Sequence, residues 1–284
     1  MGIHASCLTR LFLTDTDIFD KTMQHLIWNI DPILFDFGFL KIRWYGLMFA
    51  LGFVGSFLTM QWFYQREGKN VEELDTLLWY MVIATVAGAR LGHTLLYDPA
   101  YYLSHPLKIL AVWEGGLASH GATLGIILAL YLYRRKFGDG FFWLLDRVSI
   151  PTALAGALIR IGNFFNSEIL GIPTQQPWGV IFARIDPLPR HPVQLYEAFC
   201  YLLIYGISLL IFKRHSDKPG FSFGCFLTML VSVRFFLEYF KTEQAMYETG
   251  LALTTGQMLS IPFVLAGLGC MGWASRNSWS RSQG

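Results

Sequence analysis

Arg160-Ile161-Gly162-Asn163 closes an apolar stretch and is followed by Phe164-Phe165-Asn166-Ser167-Glu168 and then Gly171. An arginine, two amides and a carboxylate at the end of a hydrophobic helix are costly to hold near lipid unless they face a polar cavity or an anionic partner. These residues therefore read as a working site that recognises an anion. Arg160 and Asn163 are three apart and face one groove; the arginine offers a planar fork suited to phosphate, and the asparagine adds uncharged donors.

Other polar groups interrupt the apolar stretches. Arg234 and Glu238 are four apart and placed to pair along one helix face, the plainer alternative being an ion pair that ties helices together. His120 follows Gly115-Gly116-Leu117-Ala118-Ser119 and precedes Gly121, glycines that would let a lipid or a neighbouring backbone come close. A lone histidine is more often a satisfied core residue, so its weight rests on where the helices put it. Tyr45 and Arg90 raise the same question.

Hydrophobic residues make up 54% of the 284-residue chain and charged residues 15%, with a mean hydropathy of +0.41. A soluble domain of this size would have difficulty covering that much apolar surface, so the chain reads as an all-α polytopic membrane protein. About seven apolar stretches approach the length needed to cross the hydrocarbon core, at 43–64, 74–97, 115–135, 141–163, 193–213, 221–241 and 256–275. The net charge of +2 and the scattered basic residues provide no patch for nucleic acid, so a phosphate recognised here belongs to a lipid. Cys7, Cys200, Cys225 and Cys270 have neither metal-ligand spacing nor a paired framework and read as small packing hydrophobes.

Arg66 and Lys69 follow the first span, Arg134-Arg135-Lys136 the third, Lys213-Arg214 and Lys218 the fifth, and Arg276 and Arg281 the seventh. That pattern makes those segments cytoplasmic, with the N-terminus outside and the C-terminus inside. Helical rise then carries Tyr45, Arg90, His93, His120, Arg160, Asn163, Arg234 and Glu238 to one level, the outer-leaflet half of the bilayer. Scattered structural polar residues have no reason to share a depth. The outer connection within 164–192 holds Pro173, Pro177, Pro187, Pro189 and Pro192 among aromatics and reads as a small folded cap or mobile arm. Residues 23–42, with Trp28, Phe35, Phe37 and Phe39, suit an arm along the outer interface; 43–275 form the seven-helix catalytic domain and 276–284 a cytoplasmic tail. Residues 1–22 lack a signal-peptide pattern and read as an N-terminal extension, for which an early-assigned start, with Met23 the true one, would account.

There is no His-Glu-x-x-His, P-loop, Gly-x-Ser-x-Gly elbow or paired Asp motif, and Ser119 is too close in sequence to His120 to act as its nucleophile partner. An arginine-lined site with a histidine, no internal nucleophile, and no metal or cofactor signature fits a transferase in which one bound substrate attacks another.

The chain resembles the prolipoprotein diacylglyceryl transferases over nearly everything from Met23 onward. The matching segments are Ile42 through Met48, Gly88-Ala89-Arg90-Leu91-Gly92, Trp113 through Gly121, Arg160 through Gly171, His191 through Ala198, and Arg234 through Glu238. The resemblance implies a seven-helix bacterial inner-membrane enzyme that moves the diacylglyceryl group of phosphatidylglycerol onto the thiol of a lipobox cysteine in a preprolipoprotein, releasing glycerol 1-phosphate. It needs no cofactor. Carried over, His120, Arg160 and Arg234 are its catalytic residues, and Tyr45, Asn163, Glu168, Gly171 and Glu238 join both arginines in binding substrate. Arg90, His191, Gln194, Tyr196 and Glu197 match family blocks with a secondary or structural role. The chain departs from the family at Ala118, Ser119 and Ala122 around His120, at Leu230 where many members have tyrosine, at Lys241 where arginine is usual, and at Glu243-Gln244.

Sulfur attack at the glyceryl carbon bearing phosphate needs thiolate, and an unperturbed cysteine supplies only a few per cent of it at neutral pH. His120 could accept the proton or bind the lipid, while the arginines neutralise phosphate and the charge on the leaving group. The alternative is a phospholipid-binding or translocating protein that uses the same arginines without chemistry and needs polar groups at both leaflets. Orientation is testable directly: in a cysteine-free background, Gly68→Cys should resist an impermeant outside thiol reagent and Gln176→Cys should react. The reverse pattern would invert the topology.

Overall fold

In a hydrocarbon core the backbone N–H and C=O groups of an apolar run must be satisfied within the run, and a helix does this with no partner. The computed structural model describes residues 25–38, 41–112, 116, 118–242 and 253–281. The 1–22 extension, Cys7, Phe39, Trp113-Glu114-Gly115 and Glu243-Gln244 lie outside them. The long helices are α1 (Trp44–Arg66), α2 (Glu73–Leu96), α4 (Ser119–Phe137), α5 (Phe141–Asn166), α6 (Val193–His215), α7 (Phe221–Leu237) and α8 (Thr255–Arg281). A short helix, α3 (Pro99–Ser104), and a 3-10 turn, Pro106–Leu110, link α2 to α4; a second such turn, Glu238–Phe240, follows α7.

Among the described residues, six helices are long and apolar enough to cross a membrane, and the protein is an all-α polytopic membrane protein. α4 matches the third expected span, though it starts later, at Ser119. It has 19 residues, and Arg134, Arg135 and Lys136 in its last turn lower its apolar content.

Six of the seven long helices pack in three pairs through small residues, which let backbones meet where lipid supplies no hydrophobic drive between helices, and α6 lies against α5 and α7. A Cβ on Gly121 would lie 2.2 Å from the Gly88 carbonyl oxygen, and one on Gly125 2.4 Å from that of Ala84, so α2 and α4 touch backbone to backbone. The glycine after His120 therefore admits a helix, the second of the two options its spacing allowed. α1 and α5 meet similarly at Gly52 against Ala155 and at Gly162 against Tyr45, and α7 and α8 at Gly224 against Gly267.

At one end of the bundle, around the turns between α1 and α2, α4 and α5, and α6 and α7, charges are taken up in pairs. Arg147, buried, donates through Nε and Nη2 to the carboxylate of Glu67 at 2.9 and 2.5 Å and stacks on Trp143. Lys69 pairs with Asp139. Asp146 accepts from the backbone N–H groups of Gly220 and Phe223, both at 2.7 Å, and so caps the start of α7 from α5.

At the other end, short strands fold over the helices. β1 (Leu26–Trp28) pairs in parallel with β4 (Val180–Phe182), which pairs antiparallel with β5 (Pro189–Arg190). β2 (Ile33–Asp36) and β3 (Lys41–Arg43) form a separate antiparallel pair. The arm and the cap, separate pieces in the sequence, thus share a sheet. Both rest on the Phe164-Phe165 step at the end of α5: Trp28 meets Phe164 at 4.3 Å, Phe182 meets Phe164 at 5.6 Å, and Trp44 stacks on Phe165 at 4.5 Å.

The helix pairing makes a quantitative expectation. Gly125→Ala should lower stability by about 1–3 kcal/mol, because the added methyl overpacks against the Ala84 carbonyl. Gly206→Ala, with open space around it in α6, should be neutral or stabilising by up to about 1 kcal/mol. Thermal or denaturant unfolding in detergent reads both, and equal effects would refute the backbone-contact account.

Candidate active site

The last turn of α5 presents Arg160 and Asn163, and the chain then reverses sharply. Ser167 and Ile169 both adopt φ of 55°, in the left-handed region, with Glu168 between them. For a β-branched residue this is a strained conformation costing about 1–3 kcal/mol, which persists only where the surroundings enforce it. Two hydrogen bonds do so: Glu168 N–H donates to the Asn163 carbonyl at 2.9 Å, and the Gln194 side-chain Nε2 donates to the Glu168 carbonyl at 2.5 Å. The reversal aims the Glu168 carboxylate back at the helix it has just left. It accepts from Asn163 Nδ2 at 2.9 Å and Asn166 Nδ2 at 3.1 Å, while Asn163 Oδ1 accepts from Arg160 Nη1 at 3.3 Å. Arg160, Asn163 and Glu168 thus form one chain of polar contacts, closed on one side by Tyr45, which packs on Gly162 and lies within electrostatic reach of Glu168 and Arg160.

Glu197, on the first turns of α6, is fully buried and sits between two cations, Arg160 Nε at 2.8 Å and Lys241 Nζ at 3.0 Å. Neither contact is aligned as a hydrogen bond, so both are ion pairs. Lys241 also pairs with Glu238 at 3.0 Å. Here the sequence expectation fails: Glu238 does not pair with Arg234. The cause is local, since α7 ends at Leu237 and Glu238 opens a 3-10 turn that turns its carboxylate towards Lys241, three residues on. Arg234 is left exposed, without an ion pair among the described residues, and shares with Arg160 the neighbourhood of the buried Tyr201.

His120 stands exposed in the first turn of α4. Arg90, expected at the same level, faces elsewhere: its buried guanidinium donates to the carbonyls of Ile109 at 3.0 Å, Gly116 at 3.3 Å and Lys108 at 2.5 Å. It clamps the link that leads into α4. Gly171 is packed tightly, since a Cβ there would meet the His191 carbonyl at 2.3 Å; its backbone pairs with Lys241 and its carbonyl accepts from Arg190. His191 Nδ1 and the Tyr196 hydroxyl are 3.1 Å apart, and burial lowers the His191 pKa, favouring the neutral ring. In the cap, hydrogen bonds from Arg190 hold the Asp186 carboxyl below the usual carboxylate range.

These residues coincide with the blocks that carried the resemblance, and comparison with known proteins decides what they belong to. The family model for prolipoprotein diacylglyceryl transferase matches residues 32–273. The chain belongs to this family. It is similar to the phosphatidylglycerol–prolipoprotein diacylglyceryl transferase of Tolumonas auensis, 54% identical over 245 residues, covering 86% of this chain and 95% of that protein. The namesake from Chloroherpeton thalassium is 47% identical, covering 87% and 93%, and that from Porphyromonas gingivalis 44%, covering 86% and 92%.

Two members of the cluster were not among the site residues expected from the sequence. Tyr201 lies one helical turn beyond Glu197 but reads as one more aromatic of an apolar helix, and it belongs to a buried cluster against which Leu230 packs. Lys241 stood out only as a departure; its spacing of three from Glu238 was the available signal. Glu197→Gln should lower stability by about 3–5 kcal/mol, because it strips the charge partner from a largely buried arginine. An unfolding midpoint close to that of the parent protein would show that Arg160 does not depend on this carboxylate.

Proposed function

We propose that this protein transfers the diacylglyceryl group of phosphatidylglycerol to the lipobox cysteine of preprolipoproteins at the outer leaflet of a bacterial inner membrane. The observation that carries this reading is the asymmetry of the arginines: Arg160 is held by Glu197, Asn163 and the Glu168 chain, whereas Arg234 beside it has no carboxylate partner among the described residues. A phosphodiester between them would be gripped by a fixed fork on one side and neutralised by an uncommitted charge on the other.

In this reading the thiol sulfur attacks the glyceryl carbon that bears the phosphate ester, and a carbon–sulfur bond forms as the carbon–oxygen bond breaks. The product is a thioether, the leaving group glycerol 1-phosphate, and the thiol proton passes to His120. Arg160 and Arg234 stabilise the phosphate as its charge grows. Asn163, Glu168 and Tyr45 shape the headgroup site, Glu197 and Glu238 act through Arg160 and Lys241, and Gly171 with His191, Gln194 and Tyr196 positions the strained turn. Arg90 supports His120 from behind by fixing the link into α4. No cofactor takes part, and both partners are supplied by the membrane: a lipid and a membrane-tethered peptide.

The translocation alternative needs a polar path to the other leaflet. Arg147 was the residue that could have supplied one, and its guanidinium is committed to Glu67.

Purified protein with phosphatidylglycerol and a lipobox peptide should yield a thioether-linked diacylglyceryl peptide by mass spectrometry; unchanged lipid with folded protein would overturn the assignment. Arg160→Lys should lose most activity despite keeping its charge, since a point charge cannot replace the fork. His120→Gln should bind lipid but transfer slowly, regaining rate as pH rises and the peptide ionises. Loss of lipid binding without such recovery would make His120 a headgroup ligand instead.

A further inference from the structure

α1 and α6 both run towards the charge-paired end of the bundle, and both pack on α5. Two contacts tie them to each other. Phe63 and Phe212, both buried, meet edge to face at 4.6 Å, and the hydroxyls of Thr59 and Tyr205 are 3.0 Å apart. Beside these ties the helices leave a groove of about 290 Å³, lined by Leu58, Thr59, Trp62, Tyr205, Leu209 and Lys213. On α6 the lining residues are four apart, and on α1 the line through Leu58 and Trp62 continues to Arg66, whose guanidinium lies 5.3 Å over the Trp62 ring. Each wall is therefore about 12 Å long, close to the roughly 15 Å of one hydrocarbon leaflet.

The two ends of the groove differ. At the deep end Thr59 donates to the Gly55 carbonyl at 2.8 Å, so the Tyr205 hydroxyl gives its proton to Thr59 and no free donor remains. At the surface end stand Lys213 and Arg66, exposed cations with no ion pair among the described residues. Glu67, the acid next to Arg66, is occupied by Arg147 and Trp143. A peptide laid in this trough would leave its amides unsatisfied, and a soluble anion would have no use for the apolar walls. A zwitterionic headgroup would bring another cation to a place that already holds two. An anionic lipid has neither fault: its chain lies on leucine, its phosphate meets two cations, and the indole sits at the level where tryptophan favours the membrane interface.

We propose that this groove holds one anionic glycerophospholipid of the leaflet away from the Arg160 site, with its phosphate at Lys213 and Arg66 and an acyl chain against Leu58 and Leu209. The lipid supplies the packing that α1 and α6 do not give each other there, and these helices carry Tyr45 and Glu197 at their far ends. Its binding does not depend on transfer chemistry. Nor does the groove lead to the transfer site, because the hydroxyl pair closes it and a headgroup passing that point would lose its water without gaining a donor.

Phosphatidylglycerol carrying a mid-chain diazirine, presented to the full chain in detergent micelles, should leave photo-adducts on Leu58, Trp62 or Leu209. The same probe built on phosphatidylcholine should label them at least about fivefold less, the discrimination expected of one cation at a lipid surface. Lys213→Gln combined with Arg66→Gln should lower the phosphatidylglycerol adducts by at least about tenfold, Leu209→Trp should lower them by filling the trough, and excess inorganic phosphate should leave them unchanged. Equal labelling by both probes, labelling indifferent to the paired charge substitution, or displacement by inorganic phosphate would each overturn the proposal. Should Leu209→Trp fold poorly, the paired substitution, confined to exposed side chains, decides the matter. The readout is the position of the adduct, so lipid at the Arg160 end is counted apart, and a protein that transferred no lipid would still give the answer.

Discussion

A buried carboxylate between two cations organises the end of the bundle where the polar residues meet. Glu197 is fully enclosed, and an isolated charge there would be untenable; Arg160 from α5 and Lys241 from beyond α7 make it tolerable. The dependence runs both ways. Arg160 could not keep its guanidinium edge at the site without a counter-charge behind it, and Lys241 draws the segment after α7 against Leu170 and Ile172, where backbone bonds from Thr242 and to Phe240 complete the seam. Three elements distant in sequence are thereby fixed around one oxygen pair.

This explains which parts of the molecule the sequence made legible. Apolar length is a property of consecutive residues, and the seven long helices fall on the expected stretches with shifts at their ends. The meeting of Tyr45 with the last turns of α5, and of Arg160 with Arg234 around Tyr201, is what rise per residue and alternating direction imply for those helices. Side-chain aim does not follow from them. Arg90, expected at the level of the arginine site, turns towards the carbonyls of the link into α4, and Glu238 misses Arg234 because the helix stops one residue too soon. The pairing of Glu67 with Arg147 joins residues on different helices and had no local signature.

The small residues play a role that composition alone left open. Glycines beside a histidine could have served a ligand or a neighbour, and contact distances assign Gly88, Gly121 and Gly125 to the seam between α2 and α4. Gly52 and Gly162 serve the seam between α1 and α5. Tight seams within each pair leave the space between pairs less filled, and an apolar cavity lies there.

The parallel pairing of Leu26–Trp28 with Val180–Phe182 has a consequence for how the molecule is made. β1 precedes the first membrane helix, and its partner strand follows α5, so four long helices are synthesised and inserted before the two can meet. Until then the arm has no sheet to join, Trp28 lacks Phe182 as a fellow wall around Phe164, and the reversal carrying Glu168 has no lid. A pairing of such long range closes late and carries its loop entropy to the end of folding. An emerging chain therefore passes through most of its insertion as a bundle without a finished polar centre, and the arginine end becomes a defined compartment only when the cap strand locks onto the arm.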